Sequence, residues 1–187
     1  MPVPRLVADD VAVLVIDVQE RLLPTIVNGE AVAHNAGVLL AVADALDLPA
    51  VATEQYPRGL GRTVEAVARH LRPDAPRVEK TRFSALVPDV ESFLLTTRRQ
   101  TVLVAGIEAH VCVLQTVLDL LASGRQAFVV TDAVSAGQGG QVAPALRRME
   151  RAGAVPTGVL SATYELLGDK EHPAFARCLA LAKSLRA

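Results

Sequence analysis

The stretch Thr101-Val-Leu-Val-Ala-Gly-Ile-Glu-Ala-His-Val-Cys112-Val-Leu-Gln-Thr-Val-Leu-Asp-Leu-Leu121 decides the fold. Its opening run TVLVA is apolar on both faces, as a strand covered by helices on each side must be. Beyond it Val111, Leu114, Leu118 and Leu121 recur at 3,4,3 spacing, the stripe of an amphipathic helix, with Gly124 as its C-terminal stop. A strand that runs into a helix is half of a β-α-β unit, and the rest of the chain repeats the pattern. Further strands are expected at Val11–Ile16 (VAVLVI), at 50–53, around Val78, at 127–131 and, weakly, at 154–157. Between them, Asn28 is placed to cap a helix carrying Val32, Leu39, Val42 and Leu46 that ends before Pro49. Pro88 suits the first turn of a helix carrying Val90, Phe93 and Leu94. Helices are also expected over 141–151, stopped by Gly153, and over about 173–185. The alternation predicts an α/β protein with a mostly parallel sheet, helices on both faces and right-handed crossovers. With no internal repeat and no Pro-, Gly- or Ser-rich linker, 1–187 reads as a single domain.

Composition narrows the function classes. At 51% hydrophobic and 21% charged residues the chain has a globular balance. A formal net charge of -1 leaves no basic excess for neutralising phosphates, and 3% aromatics without Trp removes the usual base-stacking platforms. Nucleic acid is therefore not an expected partner. No apolar run approaches the roughly 18 residues of a membrane span, and the first ten residues lack the core of a signal peptide. The two cysteines, Cys112 and Cys178, make no disulfide framework. A cytoplasmic protein with no membrane partner is the expectation.

In open α/β sheets ligands bind outside the carboxyl ends of the strands. The first strand ends in Asp17, the third in Lys80, and the fourth leads to Cys112, so an acid, an amine and a thiol fall on that edge. Cys112 lies near the first turn of a helix, where unpaired N–H groups and the macrodipole favour a thiolate. A nearby Lys80 ammonium would favour it further, and Asp17 could take the thiol proton and deliver it to a leaving nitrogen. Singly, each residue has an ordinary reading: a buried cysteine, a solvated lysine, an aspartate that caps a turn.

At these residues the chain resembles the isochorismatase-like family of cysteine hydrolases, and most closely its small members of unassigned substrate. The matching segments are Val15-Ile-Asp-Val-Gln19, Glu79-Lys-Thr-Arg-Phe-Ser84, Gly106-Ile-Glu-Ala-His-Val-Cys-Val113 and Thr131-Asp-Ala-Val-Ser135. Thr53-Glu-Gln-Tyr-Pro-Arg-Gly-Leu-Gly61 and Tyr164-Glu-Leu-Leu-Gly168 fit as well. The resemblance implies a three-layer α/β/α sandwich around a six-stranded parallel sheet, Rossmann-like in its layering, and a homo-oligomer. It implies Cys112 as nucleophile, Asp17 as proton carrier and Lys80 as charge partner. It also implies a non-proline cis peptide at Ile107–Glu108 that aims the backbone N–H groups of Glu108 and Cys112 at an oxyanion.

The loop after the second strand has no histidine, and His34, His70, His110 and His172 show no ligand spacing, so neither metal nor cofactor is expected. Gln19, Tyr56, Phe83 and His110 are candidate pocket residues; His110 has a structural reading of equal weight. Arg58, Arg62 and Arg82 are candidate carboxylate partners. The loop 135–140 (SAGQGG) reads as a flexible connector in preference to a lid. Cys178 is a core or interface residue, and the apolar C-terminal helix could pack on its own domain or on a neighbour. The expected activity is hydrolysis of a small amide, ureido or similar C–N bond through a Cys112 thiolate and a covalent intermediate. The alternatives are hydrolysis of a vinyl ether and a catalytically silent oligomeric binding protein of the same fold.

Overall fold

The computed structural model describes residues 3–186. Its strands are β1 (Val11–Ile16), β2 (Ala50–Gln55), β3 (Arg77–Lys80), β4 (Thr101–Gly106), β5 (Gln126–Val134) and β6 (Val155–Thr157). They form one all-parallel sheet in the order β3-β2-β1-β4-β5-β6. Alternation of side chains along each strand divides the core in two. Val11, Val13 and Val15 of β1, with Leu103 and Phe128, pack against α1 (Gly29–Ala45), α7 (Val159–Leu167) and α8 (Phe175–Ala182). Ala12, Leu14 and Ile16, with Val102, Val104 and Val129, face α4 (Pro88–Thr96), α5 (Leu114–Ala122) and α6 (Val142–Arg151). The short α2 (Pro57–Leu60) and α3 (Glu65–Ala68) lie between β2 and β3.

The expected strands are all present, and three helix expectations change in detail. Asn28 precedes α1 but takes a left-handed φ of 55° and makes no side-chain cap; its carbonyl accepts the Val32 N–H at 3.0 Å instead. The helix expected from Val111 begins as a π-helical turn, Ala109–Val113, before α5 proper. The C-terminal helix is shorter than expected and packs on its own chain: Cys178 is fully buried in the core against α1. Asn35 of α1 donates to the Asp132 and Arg186 carbonyls and accepts the Arg186 N–H, which ties down the chain end. α7 falls outside the expected helices.

The order of strands reverses between β1 and β4, whose carboxyl ends lie side by side with Ile16 opposite Gly106. Ile107 N–H then donates to Ile16 O at 2.9 Å, and Asp17 N–H to Thr53 O at 3.1 Å. Register thus brings the chain after β1, β2 and β4 to one place. Gly106 is required there, with φ 124° and room for no side chain: a Cβ would stand 2.1 Å from Ile16 O and 2.6 Å from Ile16 N. Gly106→Ala combines a backbone clash with a disfavoured φ, and a loss of about 3–5 kcal/mol is expected in denaturant titration. Unchanged stability would show that β1 and β4 are not held this closely.

Candidate active site

Asp17 follows β1 with a left-handed φ of 55°. Its Oδ2 accepts from Lys80 Nζ at 2.6 Å, and both side chains are fully buried. Its Oδ1 accepts from the Thr53 hydroxyl at 2.7 Å. Lys80, the last residue of β3, also donates to Gln55 Oε1 at 2.7 Å and to the Arg82 and Phe83 carbonyls at 3.2 Å each. An ammonium taken out of water is tolerated only when oxygen acceptors replace its hydration, and this one has four around it. Thr53 and Gln55 therefore belong to the site, although neither is a site candidate from the sequence; their signal is the polar run Thr53-Glu-Gln55 that closes an otherwise apolar β2.

Cys112 lies in the π-helical turn, and only 6% of its surface is exposed. Asp17 and Lys80 are both near enough for their charges to act on its thiol. The helix-start preference for a thiolate meets a stronger opposing effect. Burial, helped by the negative charge of Asp17, pushes the thiol up to about 12, and the opposing pull of Lys80 is outweighed. Burial thus favours the neutral thiol over the thiolate. The Ile107–Glu108 peptide bond is cis. In the loop that follows, Ala109 N–H donates to Ser135 O, while Val111 and Val113 N–H both donate to Glu108 O.

The expected pocket residues part company. Tyr56 and Phe83 are exposed at 56% and 54%. Tyr56 lines a cavity of about 530 Å³ with Arg58, Lys80, Arg82 and Pro88. Phe83 lines one of about 400 Å³ with Ser84, Gln115 and Leu118. Gln19, by contrast, is fully buried and is no pocket wall: Nε2 donates to the Gln55 and Gly61 carbonyls, and Oε1 accepts the Gln55 N–H. It staples β2 to the turn after α2. His110 is partly buried, with Nδ1 3.9 Å from Glu108 Oε2 and without a hydrogen-bond partner among the described residues.

Arg62 is not a free carboxylate receptor, because it already pairs with Glu54 at 2.9 Å and Glu79 at 2.6 Å. Arg58 is exposed beside the Tyr56 cavity, and Arg82 is exposed with Asp119 at 4.0 Å. Loop 135–140 is anchored along its first half, not free as a connector would be. Ser135 Oγ donates to Val27 O at 2.7 Å, and Gly137 N–H to Glu108 Oε2 at 2.8 Å. Among the described residues no group of three His, Cys, Asp or Glu side chains could hold a metal ion. Glu54 is held by protein: Oε1 accepts the Thr63 N–H and hydroxyl at 2.8 Å each.

The switch point of this parallel sheet gathers an acid, an amine and a thiol, and comparison gives the family. The isochorismatase domain matches residues 11–160, and the chain belongs to the isochorismatase family, with its hydrolase fold. It is 40% identical over 175 residues to the secreted isochorismatase effector Isc1 of Phytophthora sojae, covering 91% of this chain and 83% of that protein. The structure of the MAR1 ribonuclease of Caenorhabditis elegans superposes with a TM-score of 0.95 at 36% identity, covering 98% of this chain and 95% of that one. The YcaC gene product of Escherichia coli, described as an octameric hydrolase of unknown specificity, gives 0.90 at 26% identity, covering 97% and 92%. Because the first of these relatives is secreted, kinship does not place this chain in the cytoplasm. Among the described residues no helix is long and apolar enough to cross a membrane.

Two outcomes are expected. Burial works to raise the Glu54 carboxyl, but its hydrogen bonds from Thr63 and its contact with Arg62 outweigh that and hold it below 4.5. A carboxyl depressed on folding contributes stability that is complete above its unfolded pKa and is lost as pH falls through the folded one. Glu54→Gln should therefore cost about 2–3 kcal/mol at neutral pH and flatten the acid limb of stability against pH; an unaltered acid limb would show that Glu54 does not carry it. Second, the pH dependence of Cys112 alkylation should move down in Asp17→Asn, which removes a negative charge, and up in Lys80→Ala. Movement in the opposite senses would mean that the thiol does not sit between the two.

Proposed function

We propose that this protein is a cysteine hydrolase of a small amide, ureido or similar C–N bond, with Cys112 as nucleophile, Asp17 as proton carrier and Lys80 as charge partner. The observation that carries the reading is the Cys112 thiol set against a fully buried Asp17–Lys80 pair. Such a pair is an expensive way to stabilise a fold, since apolar side chains of similar volume serve as well or better. It suits a site that moves one proton in and out of a dry environment.

The proposed cycle uses these groups in turn. As Cys112 Sγ attacks the substrate carbonyl carbon, the thiol proton passes to the Asp17 carboxylate, so no free thiolate need accumulate. A thiol pushed up by burial is compatible with this order: attack and proton transfer proceed together. The backbone N–H groups of Glu108 and Cys112 are the proposed donors to the oxyanion; their neighbours Ala109, Val111 and Val113 have their N–H groups committed elsewhere. Collapse of the tetrahedral adduct breaks the C–N bond, and Asp17 returns its proton to the departing nitrogen. Water then attacks the thioester, giving a proton to Asp17. When the second adduct collapses, the acid leaves and the proton returns to Sγ. Lys80 holds the Asp17 carboxylate in place throughout, itself fixed by Gln55 and the Arg82 and Phe83 carbonyls.

Tyr56 and Phe83, with His110 beside the thiol turn, are proposed to meet the substrate, which is small because the reacting groups are almost closed to solvent. A homo-oligomer is proposed in line with the octameric YcaC relative. The name of the nematode relative raises a nuclease reading. An Asp17 and Lys80 without exposed side-chain surface and a net charge of -1 favour a small molecule over a polynucleotide.

Ammonia and amine release from a panel of small carboxamides and ureides, with isochorismate and single-stranded RNA as parallel substrates, tests the proposal. Turnover of an amide or ureide is expected, lost by about a thousandfold or more in Cys112→Ala and by about 10²–10⁴-fold in Asp17→Asn. Turnover of isochorismate or RNA that survives Cys112→Ala would overturn the assignment of both reaction and nucleophile.

A further inference from the structure

Thr116 lies one helical turn beyond Cys112, in α5, and is fully buried. Its hydroxyl makes two hydrogen bonds at once. Oγ1 donates to the Cys112 carbonyl at 2.6 Å and accepts the Ala85 N–H at 2.7 Å. The first is a bond that a helical threonine commonly makes to its own helix. Thr163 of α7 shows that ordinary case, donating to Val159 O at 2.7 Å with no second partner among the described residues. The second bond is not local. Ala85 is itself fully buried and belongs to the segment between β3 and α4. In that segment, Arg82 and Phe83 present their carbonyls to Lys80 Nζ.

One hydroxyl therefore connects the backbone of the thiol turn to the segment that cradles the ammonium. Register at the sheet edge fixes Asp17 and Lys80 through β1, β2 and β3, but Cys112 arrives on a separate helix, so its distance from Lys80 depends on how α5 sits against segment 82–85. We propose that Thr116 is a positioning residue that locks the Cys112 turn to the Lys80 cradle. The proposal rests on the reading of Cys112 as the reacting thiol. A valine here has the same shape but leaves the Ala85 N–H without its partner inside the core, and the two segments are then free to part.

The test is iodoacetamide alkylation of the whole protein at about pH 9, followed at Cys112 and Cys178 separately by peptide mass spectrometry. Cys178, fully buried in α8, reports general unfolding. Since burial and Asp17 together outweigh Lys80 at the thiol, a turn free to part from the cradle is expected to make Cys112 react about tenfold faster in Thr116→Val, with Cys178 unchanged and the rate returned to within about twofold of wild type by Thr116→Ser. Cys112 reacting at the wild-type rate in Thr116→Val, or a gain that serine does not reverse, would overturn the proposal. If both cysteines speed up because the valine variant unfolds, amide exchange decides. The Ala85 N–H should be protected to the level of the β4 core in wild type and in Thr116→Ser, and exchange at the rate of the exposed loops would overturn the proposal. Hydrolysis that survives Cys112→Ala would remove the catalytic reading by itself, while the alkylation rates would still decide whether Thr116 sets the thiol's place.

Discussion

A carboxylate and an ammonium, both without exposed surface and 2.6 Å apart, are the constraint around which this molecule is organised. Neither ion is stable in the core alone, and removing either would leave the other uncompensated at a cost of several kcal/mol. Both therefore have to arrive together, from strands separated in the sequence and non-adjacent in the sheet. β2 lies between β1 and β3, and it supplies the means: Thr53 donates to Asp17 and Gln55 accepts from Lys80, so the intervening strand bridges the pair on both sides. Gln19 and Glu54 are the supports behind this. One staples the end of β2 to the turn after α2, and the other binds β2 to Thr63 and Arg62.

The same burial decides the chemistry of the thiol. A cysteine in water near a lysine and a helix start would ionise early. Here exclusion of water removes solvation that the thiolate needs, and Asp17 is close enough to oppose a second negative charge. The site thus holds one net proton to be shared between Sγ and a carboxylate. In the proposed cycle that proton passes between the two, and a neutral thiol is a weaker nucleophile toward stray electrophiles than a thiolate.

Much of this was legible in the sequence, for identifiable reasons. Runs such as VAVLVI and TVLVA have only one stable home, the middle of a sheet covered on both sides, so strands and layers could be read directly. Asp17, Lys80 and Cys112 could be read because strand ends are where open sheets present chemistry. What could not be read depends on contacts between distant segments. The part played by Gln19 is set by carbonyls of Gln55 and Gly61, and that of Arg62 by Glu54 and Glu79, none of which its own surroundings in sequence reveal. Thr116 looks like any helical threonine until Ala85 is seen against it. The protonation of Cys112 is not legible from helix position, which is local and visible, because burial is a property of the assembled fold.

The neutral resting thiol is the claim on which the account turns, and the S–H stretch reports it directly. Infrared difference spectra of wild type against Cys112→Ala, recorded at neutral pH without ligand, should contain an S–H band assignable to Cys112, since its thiol is pushed up to about 12. Absence of that band, with the intact thiol verified by mass, would mean that Cys112 rests as a thiolate. That result would contradict both the dominance of burial over Lys80 and the assignment of Asp17 as the group that takes the proton during attack.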